Sequence, residues 1–270
     1  MTNADVPRFG FGSNFLDYHA KQFGEERVAL SRRTLLGFLG LETLRGKRMI
    51  DIGCGPGLTS LAAHRAEVAE LFSFDYDPNS VAATRRMHAL AGSPANWRVE
   101  QGSAIDTDYM DTLGQFDVVY CWGVLHHTGD QWTGFRNAAN RIAPGGLLYI
   151  ALYNTDYHKF PSPEFWMRVK RLYNRGGALT KHAIELGYVA ADMLWKLVRG
   201  KHPTAHMRAY RDNRGMSYFV GVRDWVGGWP MEYASVQEVK DFAAGLGLGL
   251  ELIKIDTAWS CAQYLFRRKA

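Results

Sequence analysis

An α/β fold on a doubly wound sheet is what this 270-residue chain predicts, and three observations carry it. The apolar run Arg48 to Ile52 passes directly into Gly53-Cys54-Gly55-Pro56-Gly57 and then into a helical pattern beginning at Leu58. That is the strand, turn and helix of a nucleotide seat, because glycines let the turn tighten and the helix start offers free N–H groups. Further short apolar segments at 71–75, 97–100, 116–121 and 147–152 alternate with helical stretches, as parallel strands joined by crossovers do. Two last segments, 248–255 and 262–266, separated by a turn, bring the strands to seven.

Composition sets the class. Apolar residues make up 47% and charged residues 22% of the chain, ordinary values for a globular protein with one core and some additions. No basic-then-apolar leader and no charge-free window of about 18 apolar residues is present, so a cytoplasmic protein without a transmembrane segment is expected. Cys54, Cys121 and Cys261 lack metal-ligand spacing and are odd in number, which predicts reduced, packed thiols. Net charge is +5, but residues 168–214 hold eleven Lys and Arg against three acids, leaving the rest of the chain at −3.

In chain order, residues 1–14 are polar and read as extended, and the loose apolar spacing from Phe15 to Leu39, broken near Gly24, predicts one or two helices. The glycine turn follows the first strand. Its spacing is not G-x-G-x-x-G, since Leu58 stands where that pattern needs its third, helix-packing glycine, and no Gly-Lys-Ser/Thr follows for a phosphate loop. The second strand ends in Asp75, an acid placed to accept two hydrogen bonds from a ribose diol. Asp77-Pro78 reads as N-cap and first turn of a helix to about Leu90, with Tyr76 either against an adenosine or on the surface. Gly102-Ser103-Ala104 comes straight after the third strand. Trp122 to Thr128 follows the fourth, Thr128 to Gln131 fits a capping box, and Pro144-Gly145-Gly146 turns into the fifth.

Asp51-Ile-Gly53-Cys-Gly55-Pro-Gly57 resembles the first motif of the class I S-adenosylmethionine (SAM) dependent methyltransferases, and Trp122-Gly-Val-Leu-His-His-Thr is similar to their fourth. The resemblance implies a Rossmann-like seven-stranded sheet whose last two strands form an antiparallel edge. It implies SAM as cofactor and S-adenosylhomocysteine as product. Asp51, Gly53, Cys54, Gly55, Gly57, Cys121 and Trp122 would then lie along the methionine end, and Asp75, Tyr76, Ser103 and Ala104 along the adenosine. Ser103 stands where the family often has an acid; a hydroxyl still donates or accepts. Residues 1–45 would cover the cofactor, with Phe15 and Tyr18 as roof or as packing.

Two absences narrow the chemistry. No Asn/Asp-Pro-Pro-aromatic sequence is present, as in many enzymes that methylate nucleic acid bases. Gly123 and His126 also replace the carboxylates of the Glu-x-x-Glu-His arrangement of metal-dependent relatives, so no metal is expected. His126 and His127 are the base candidates, since an imidazole can take a hydroxyl proton as a methyl arrives; the alternative is a histidine satisfying the turn.

Residues 153–233 break the alternation and read as an inserted helical, aromatic and basic cap between 46–152 and 234–270. A basic helix is expected from Phe165 to Tyr173, with Arg168, Lys170 and Arg171 on its polar side. A longer one runs from Leu179 to Val198, its stripe at Ile184, Tyr188, Ala191, Trp195 and Val198 facing core, a second copy or a membrane surface. Tyr153, Arg211, Arg214, Asp224, Trp225 and Trp229 are the substrate candidates of the cap, with Tyr18 from the N-terminus. Ser235 to Glu238 is a second capping box.

The cap tract, Trp122 to Asp130 and the Phe11 to Phe15 element resemble a bacterial group labelled by analogy with ubiquinone-type O-methyltransferases, over nearly the whole chain. Group membership does not fix an acceptor. The expectation is methyl transfer from SAM to a small or medium-sized acceptor, anionic if the cap's charge is used, with oxygen as the methylated atom. RNA or protein methylation and a non-catalytic SAM-binding regulator are the alternatives, nucleic acid being disfavoured and a homodimer through the cap helices compatible with the stripe.

Overall fold

The computed structural model describes residues 9–12, 24–157, 161–202, 205, 207, 210, 218–258 and 260–270. Seven strands form one sheet in the order β3-β2-β1-β4-β5-β7-β6. They are β1 (Arg48–Ile52), β2 (Glu70–Asp75), β3 (Trp97–Gln101), β4 (Phe116–Trp122), β5 (Ile142–Tyr153), β6 (Leu250–Asp256) and β7 (Cys261–Arg268). The first five pair in parallel, whereas β7 runs antiparallel between β5 and β6. The chain reverses its direction of winding between β1 and β4, and the crevice at the carboxyl ends of such a pair is where open α/β sheets bind ligands.

The helices are α1 (Glu25–Leu39), α2 (Leu58–Arg65), α3 (Pro78–Leu90), α4 (Thr107–Thr112), α5 (Gln131–Asn140), α6 (Pro163–Arg175), α7 (Ala178–Val198), α8 (Tyr218–Gly227) and α9 (Val236–Gly245). Both sheet faces are covered. Val119 and Cys121 belong to a core with Phe135 and Ala138 of α5 and Val239 of α9, while Val118 joins Leu35 and Leu39 of α1 and Leu61 of α2. Successive strand residues point to opposite faces, which is why β4 is apolar almost throughout. A third cluster holds the cap together around Tyr173, Tyr218, Val222 and Val226.

Several local expectations change. β5 begins at Ile142, through the Pro144-Gly145-Gly146 segment, because Phe116 pairs with Ile142 before the register shifts and Val118 pairs with Leu147. The helix after β4 is capped by Asp130, whose side chain accepts from Thr133 N, while Thr128 Oγ1 donates to the Leu125 carbonyl; the Thr128 capping box is not formed. α4, absent from the sequence reading, is short and capped by Asp106. The Ser235–Glu238 box is present with both of its bonds.

Lys170 is the larger correction. It is 0% exposed and lies inside the cap instead of on a polar face. The stripe on α7 also divides. Ile184 and Tyr188 pack on the cap cluster, joined by Val189 and Met193, whereas Ala191, Trp195 and Val198 are exposed.

Candidate active site

Three consecutive odd-numbered glycines bend the chain out of β1. Gly53, Gly55 and Gly57 have φ of 72°, 51° and 75°, a region closed to most side chains. Space forbids side chains as well: a Cβ on Gly53 would lie 2.4 Å from Val124 Cγ2, and one on Gly57 2.8 Å from Thr84 Cα. Gly53 N and Cys54 N both donate to the Phe74 carbonyl, at 2.8 and 3.0 Å, which moors the loop to the end of β2. Thr84 Oγ1 donates to the Gly55 carbonyl (3.1 Å) and to Cys54 Sγ (3.2 Å). The loop then enters α2 with no side chain capping its first turn.

Asp75 faces this loop. Its Oδ2 accepts from Gly55 N and its Oδ1 from Asp77 N, each at 2.9 Å. Burial raises its carboxyl to about 6 in spite of those two donors. Asp51 is buried at 1% exposure and accepts from Ser60 Oγ at 2.5 Å; Ser60 in turn meets Ser73 Oγ at 2.8 Å, and Trp97 Nε1 donates to Ser73 Oγ at 2.9 Å. Its carboxyl rises to about 7, from burial first and from the charge of Asp75 besides, against the Ser60 hydrogen bond. The run of bonds that starts at Asp51 therefore links β1, α2, β2 and β3 through Ser60 and Ser73.

The far end of the crevice is built by the turn after β3. Gly102 N donates to the Asp75 carbonyl (3.0 Å), and a Cβ on Gly102 would run into the Tyr109 ring. Ser103 accepts from Asp106 N through its carbonyl, and Ala104 through its carbonyl from Asn137 Nδ2. Tyr76 is exposed and its carbonyl accepts from Gln101 Nε2.

β4 leads to the histidines. Cys121 is fully buried, and burial pushes its thiol, like that of Cys54, well up. Trp122 is partly exposed and donates from Nε1 to Gln263 Oε1 at 3.0 Å, which ties its indole to β7. After Gly123 and Val124, a single 3₁₀ turn carries Leu125, His126 and His127. His126 accepts from Tyr153 N at Nδ1 (3.2 Å), with its ring 3.9 Å from that of Tyr153. His127 donates from Nδ1 to the Pro230 carbonyl at 2.7 Å, because a carbonyl can only accept; Nε2 is thereby the nitrogen with the free lone pair. Burial lowers both imidazoles, His126 far below its usual value and His127 to about 3, with Lys170 nearby adding to each.

The cap closes on this turn. Lys170 donates to the Trp225 carbonyl and sits 4.5 Å from the centre of the Trp225 ring. Asn174 Nδ2, one turn later on α6, donates to the Gly227 carbonyl at 2.7 Å. Together they satisfy carbonyls at the end of α8, where a cation is favoured. Burial brings the Lys170 amine down to about 7, opposed by Asp224. Beyond α8, Trp229 is buried beneath the Arg171 guanidinium, and the chain returns to the histidine turn through Glu232 N, which donates to the His126 carbonyl. Tyr153, Trp166 and Trp225 meet edge to face with centroids 5.2–5.9 Å apart. A short strap crosses the top: Phe9 N donates to the Trp229 carbonyl, Phe11 lies 5.0 Å from the His127 ring, and Gly12 N donates to Asp77 Oδ2 at 2.8 Å.

The expected residues thus fall into three groups. Asp51, Gly53, Cys54, Gly55, Gly57, Asp75, Ser103, Ala104, Cys121, His126, His127, Tyr153, Trp225 and Trp229 lie on the continuous set of contacts just traced. The side chains of Tyr76 and Trp122 are turned to solvent and to Gln263 respectively, and Asp224 enters through its effect on Lys170. Tyr18, Arg211 and Arg214, with Phe15, lie outside the described residues. Lys170, Phe11 and Pro230 were missed. The signal for Lys170 was its helical spacing with Trp166 and Tyr173, which puts it on an aromatic face. Among the described residues no group of three His, Cys, Asp or Glu is arranged to hold a metal, and no helix is long and apolar enough to cross a membrane.

Comparison with known proteins agrees with this geometry. A family model described as a methyltransferase domain matches residues 23–214, well over half of the chain. A ubiquinone biosynthesis O-methyltransferase of Xanthomonas campestris is 33% identical over 112 residues, 41% of this chain and 45% of that protein. Its counterpart in Bordetella avium is 29% identical over 152 residues, 56% of this chain and 61% of the relative. The chain therefore spans about half the length of the curated relatives it matches. Among solved structures, magnesium protoporphyrin IX methyltransferase of Synechocystis with bound S-adenosylhomocysteine superposes with a TM-score of 0.54 at 12% identity, covering 96% of both chains. At such identity the likeness speaks for the fold alone. Taken with the glycine loop at the switch point of the sheet and Asp75 on the neighbouring strand, the family match makes this chain a member of the methyltransferase-domain family, on the fold of the class I SAM-dependent methyltransferases.

Proposed function

We propose that the protein moves the methyl group of SAM to an oxygen of a small or medium-sized acceptor held between the histidine turn and the cap. The observation that carries this reading is His127, whose Nδ1 is committed to the Pro230 carbonyl so that Nε2 is left as an acceptor for a hydroxyl hydrogen. Gly53 to Gly57 and the Cys121-Trp122 backbone would hold the methionine end of SAM, with Asp51 bracing the loop from below. Asp75 would take the ribose with the acceptor capacity its carboxylate keeps beyond its backbone bonds, and Ser103-Ala104 the adenine. Bound there, SAM supplies an electrophilic methyl group on a sulfonium, so the protein's task is alignment.

His127 Nε2 orients the acceptor hydroxyl and receives its proton as the oxygen gains the methyl. His126, with Nδ1 accepting from Tyr153 N, holds the junction of β5 and the cap. Tyr153, Trp225 and Trp229 wall the acceptor and keep water out. The O-methyltransferase relatives favour oxygen over nitrogen or carbon as the methylated atom.

Part of the cap's charge is spent on itself: Lys170 is buried, Lys196 pairs with Asp192 at 2.7 Å, Lys181 lies over Tyr173 and Arg171 over Trp229. Arg168, Arg175, Arg199 and Lys201 are exposed and leave a positive face that suits an anionic acceptor. RNA is the weaker reading, since the sequence carries no recognisable RNA-binding motif. We place the enzyme in the cytoplasm, with residues 1–45 as cover, 46–152 and 234–270 as core and 153–233 as the cap that selects the acceptor.

The test is incubation with methyl-labelled SAM and fractionated cell extract. Label in a small molecule with an alkali-stable ether or an ester supports the reading; label only in RNA or protein overturns it, and SAM binding without any transfer leaves a regulator.

A further inference from the structure

The strap from Phe9 to Gly12 is let into the protein at three glycines. A Cβ on Gly12 would lie 2.5 Å from Ser80 N and 2.7 Å from Asp77 Oδ2, and one on Gly227 2.4 Å from Phe9 Cε2. One on Gly228 would lie 3.1 Å from His127 Cε1 and 3.2 Å from Phe11 Cζ. None of the three has a positive φ, so it is close approach that a side chain would spoil there, not backbone conformation. Gly12 is buried, and its N–H donates to the carboxylate that caps α3. The Phe9 ring packs on the cap cluster and stands edge-on to the Phe11 ring, with centroids 4.9 Å apart.

We infer that Phe11 is a positioning residue for His127: from a strap seated at both ends, it sets the angle of the imidazole and with it the direction of Nε2. The inference rests on His127 being the base of the proposed transfer. The two rings lie 5.0 Å apart at 51°, and Phe11 Cζ and His127 Cε1 both crowd the bare face of Gly228. Phe11 cannot approach closer without meeting that glycine, and it is kept from drawing back by the bond of Phe9 N to the Trp229 carbonyl and of Gly12 N to Asp77 Oδ2.

The imidazole needs such a contact. Its Nδ1 bond to the Pro230 carbonyl sets the tautomer and anchors one corner of the ring, but a hydrogen bond tolerates a spread of angles and the outer torsion of a histidine is broad. Packing narrows that spread. His126 and Tyr153 stand edge-on to the ring at 4.5 and 5.5 Å; they belong to the turn itself and to the end of β5, whereas Phe11 comes on the strap. Nε2 must meet an acceptor hydroxyl at hydrogen-bond distance, and there a misplacement of about 1 Å can cost about 100-fold in rate.

The test is a double-variant cycle on the full chain, with methyl-labelled SAM and, as acceptor, the small-molecule extract fraction that the wild type labels. Phe11→Ala is expected to lower the maximal rate about 10-fold, less than the loss of about 100-fold expected without the base. Its affinity for S-adenosylhomocysteine, measured by calorimetry, should stay within about twofold of wild type, since Phe11 acts on the imidazole and not on the cofactor. Phe11→Leu, which keeps an apolar contact, should recover most of the rate. In a His127→Ala background Phe11→Ala should cost nothing further, because a residue that acts through the imidazole has nothing left to act on. An equal loss in both backgrounds overturns the inference and leaves His127 as the base. So does an unchanged maximal rate in Phe11→Ala, whether or not the half-saturating amount of either substrate rises. A full rate in His127→Ala, or a wild type that labels nothing, removes the base and the inference with it.

Discussion

The side chain of His127 donates to the backbone carbonyl of Pro230, 103 residues further along, at 2.7 Å. One bond therefore joins the end of β4 to the return of the cap and fixes the tautomer of the imidazole nearest the strap. An imidazole so held needs no third side chain to set its tautomer.

Replacing His127 by Ala is expected to lower kcat by about 100-fold, at the lower end of what a positioned base contributes, with the KM for SAM unchanged. Steady-state kinetics across pH 6–9 check it. Because the imidazole lies near 3 in the folded protein, no inflection from His127 is expected within that range. His126→Ala should act chiefly on stability, through the lost acceptor of Tyr153 N.

The same depressed imidazoles set an acid limit. Between about 3 and the usual 6.5 the unfolded chain binds protons at His127 that the folded chain does not, so stability falls as pH drops below 6.5. Melting temperature followed from pH 7.5 to 4.5 should decline, and the decline should be shallower in His127→Asn. An equal slope in both proteins would remove His127 from the balance.

SAM affinity should also weaken in acid, for a different reason. Asp75 titrates near 6, and its protonated form gives up an acceptor site. Asp75→Asn is expected to weaken SAM by about 10- to 100-fold, the worth of a hydrogen bond to a charged group, and to flatten the pH dependence. Calorimetric titration at pH 5.5 and 8 tests both statements.

Gly53→Ala is expected to cost about 1–3 kcal/mol, from the φ of 72° alone, and to abolish SAM binding, since the new Cβ collides with Val124. Adding Val124→Ala should recover part of the binding but not the backbone penalty. Urea unfolding and calorimetry on the two variants separate the terms.

Lys170→Met keeps the volume and removes the charge. The Trp225 carbonyl then loses its donor, a loss of about 1–3 kcal/mol set against relief of a buried charge. The amine titrates near 7 when folded and near 10 when unfolded, so the wild type gains stability between pH 7 and 10. The variant should lack that gain, as melting curves over this range will show.

Legibility in the sequence followed locality. The seven strands, the glycine loop, Asp75 and the histidine turn could be read because each is set by neighbours within a few residues. The burial of Lys170 could not, because it depends on Trp225 arriving 55 residues later. Nor could the fate of Trp122, whose partner Gln263 lies 141 residues away. Arg171 and the exposed Arg168 and Arg175 look alike in the sequence, because counting charges cannot tell a guanidinium over Trp229 from one in water.

The four residues from Phe9 to Gly12 bear on the order of events in a catalytic cycle. One end is bonded to the Trp229 carbonyl, on the proposed acceptor side, the other to Asp77, two residues past Asp75, the carboxylate proposed to take the ribose. The ends cannot separate without breaking one of those two bonds. On the proposed placement of cofactor and acceptor, parting the cap from the sheet to release a methylated product would pull on Asp77 beside the cofactor's edge in the same movement.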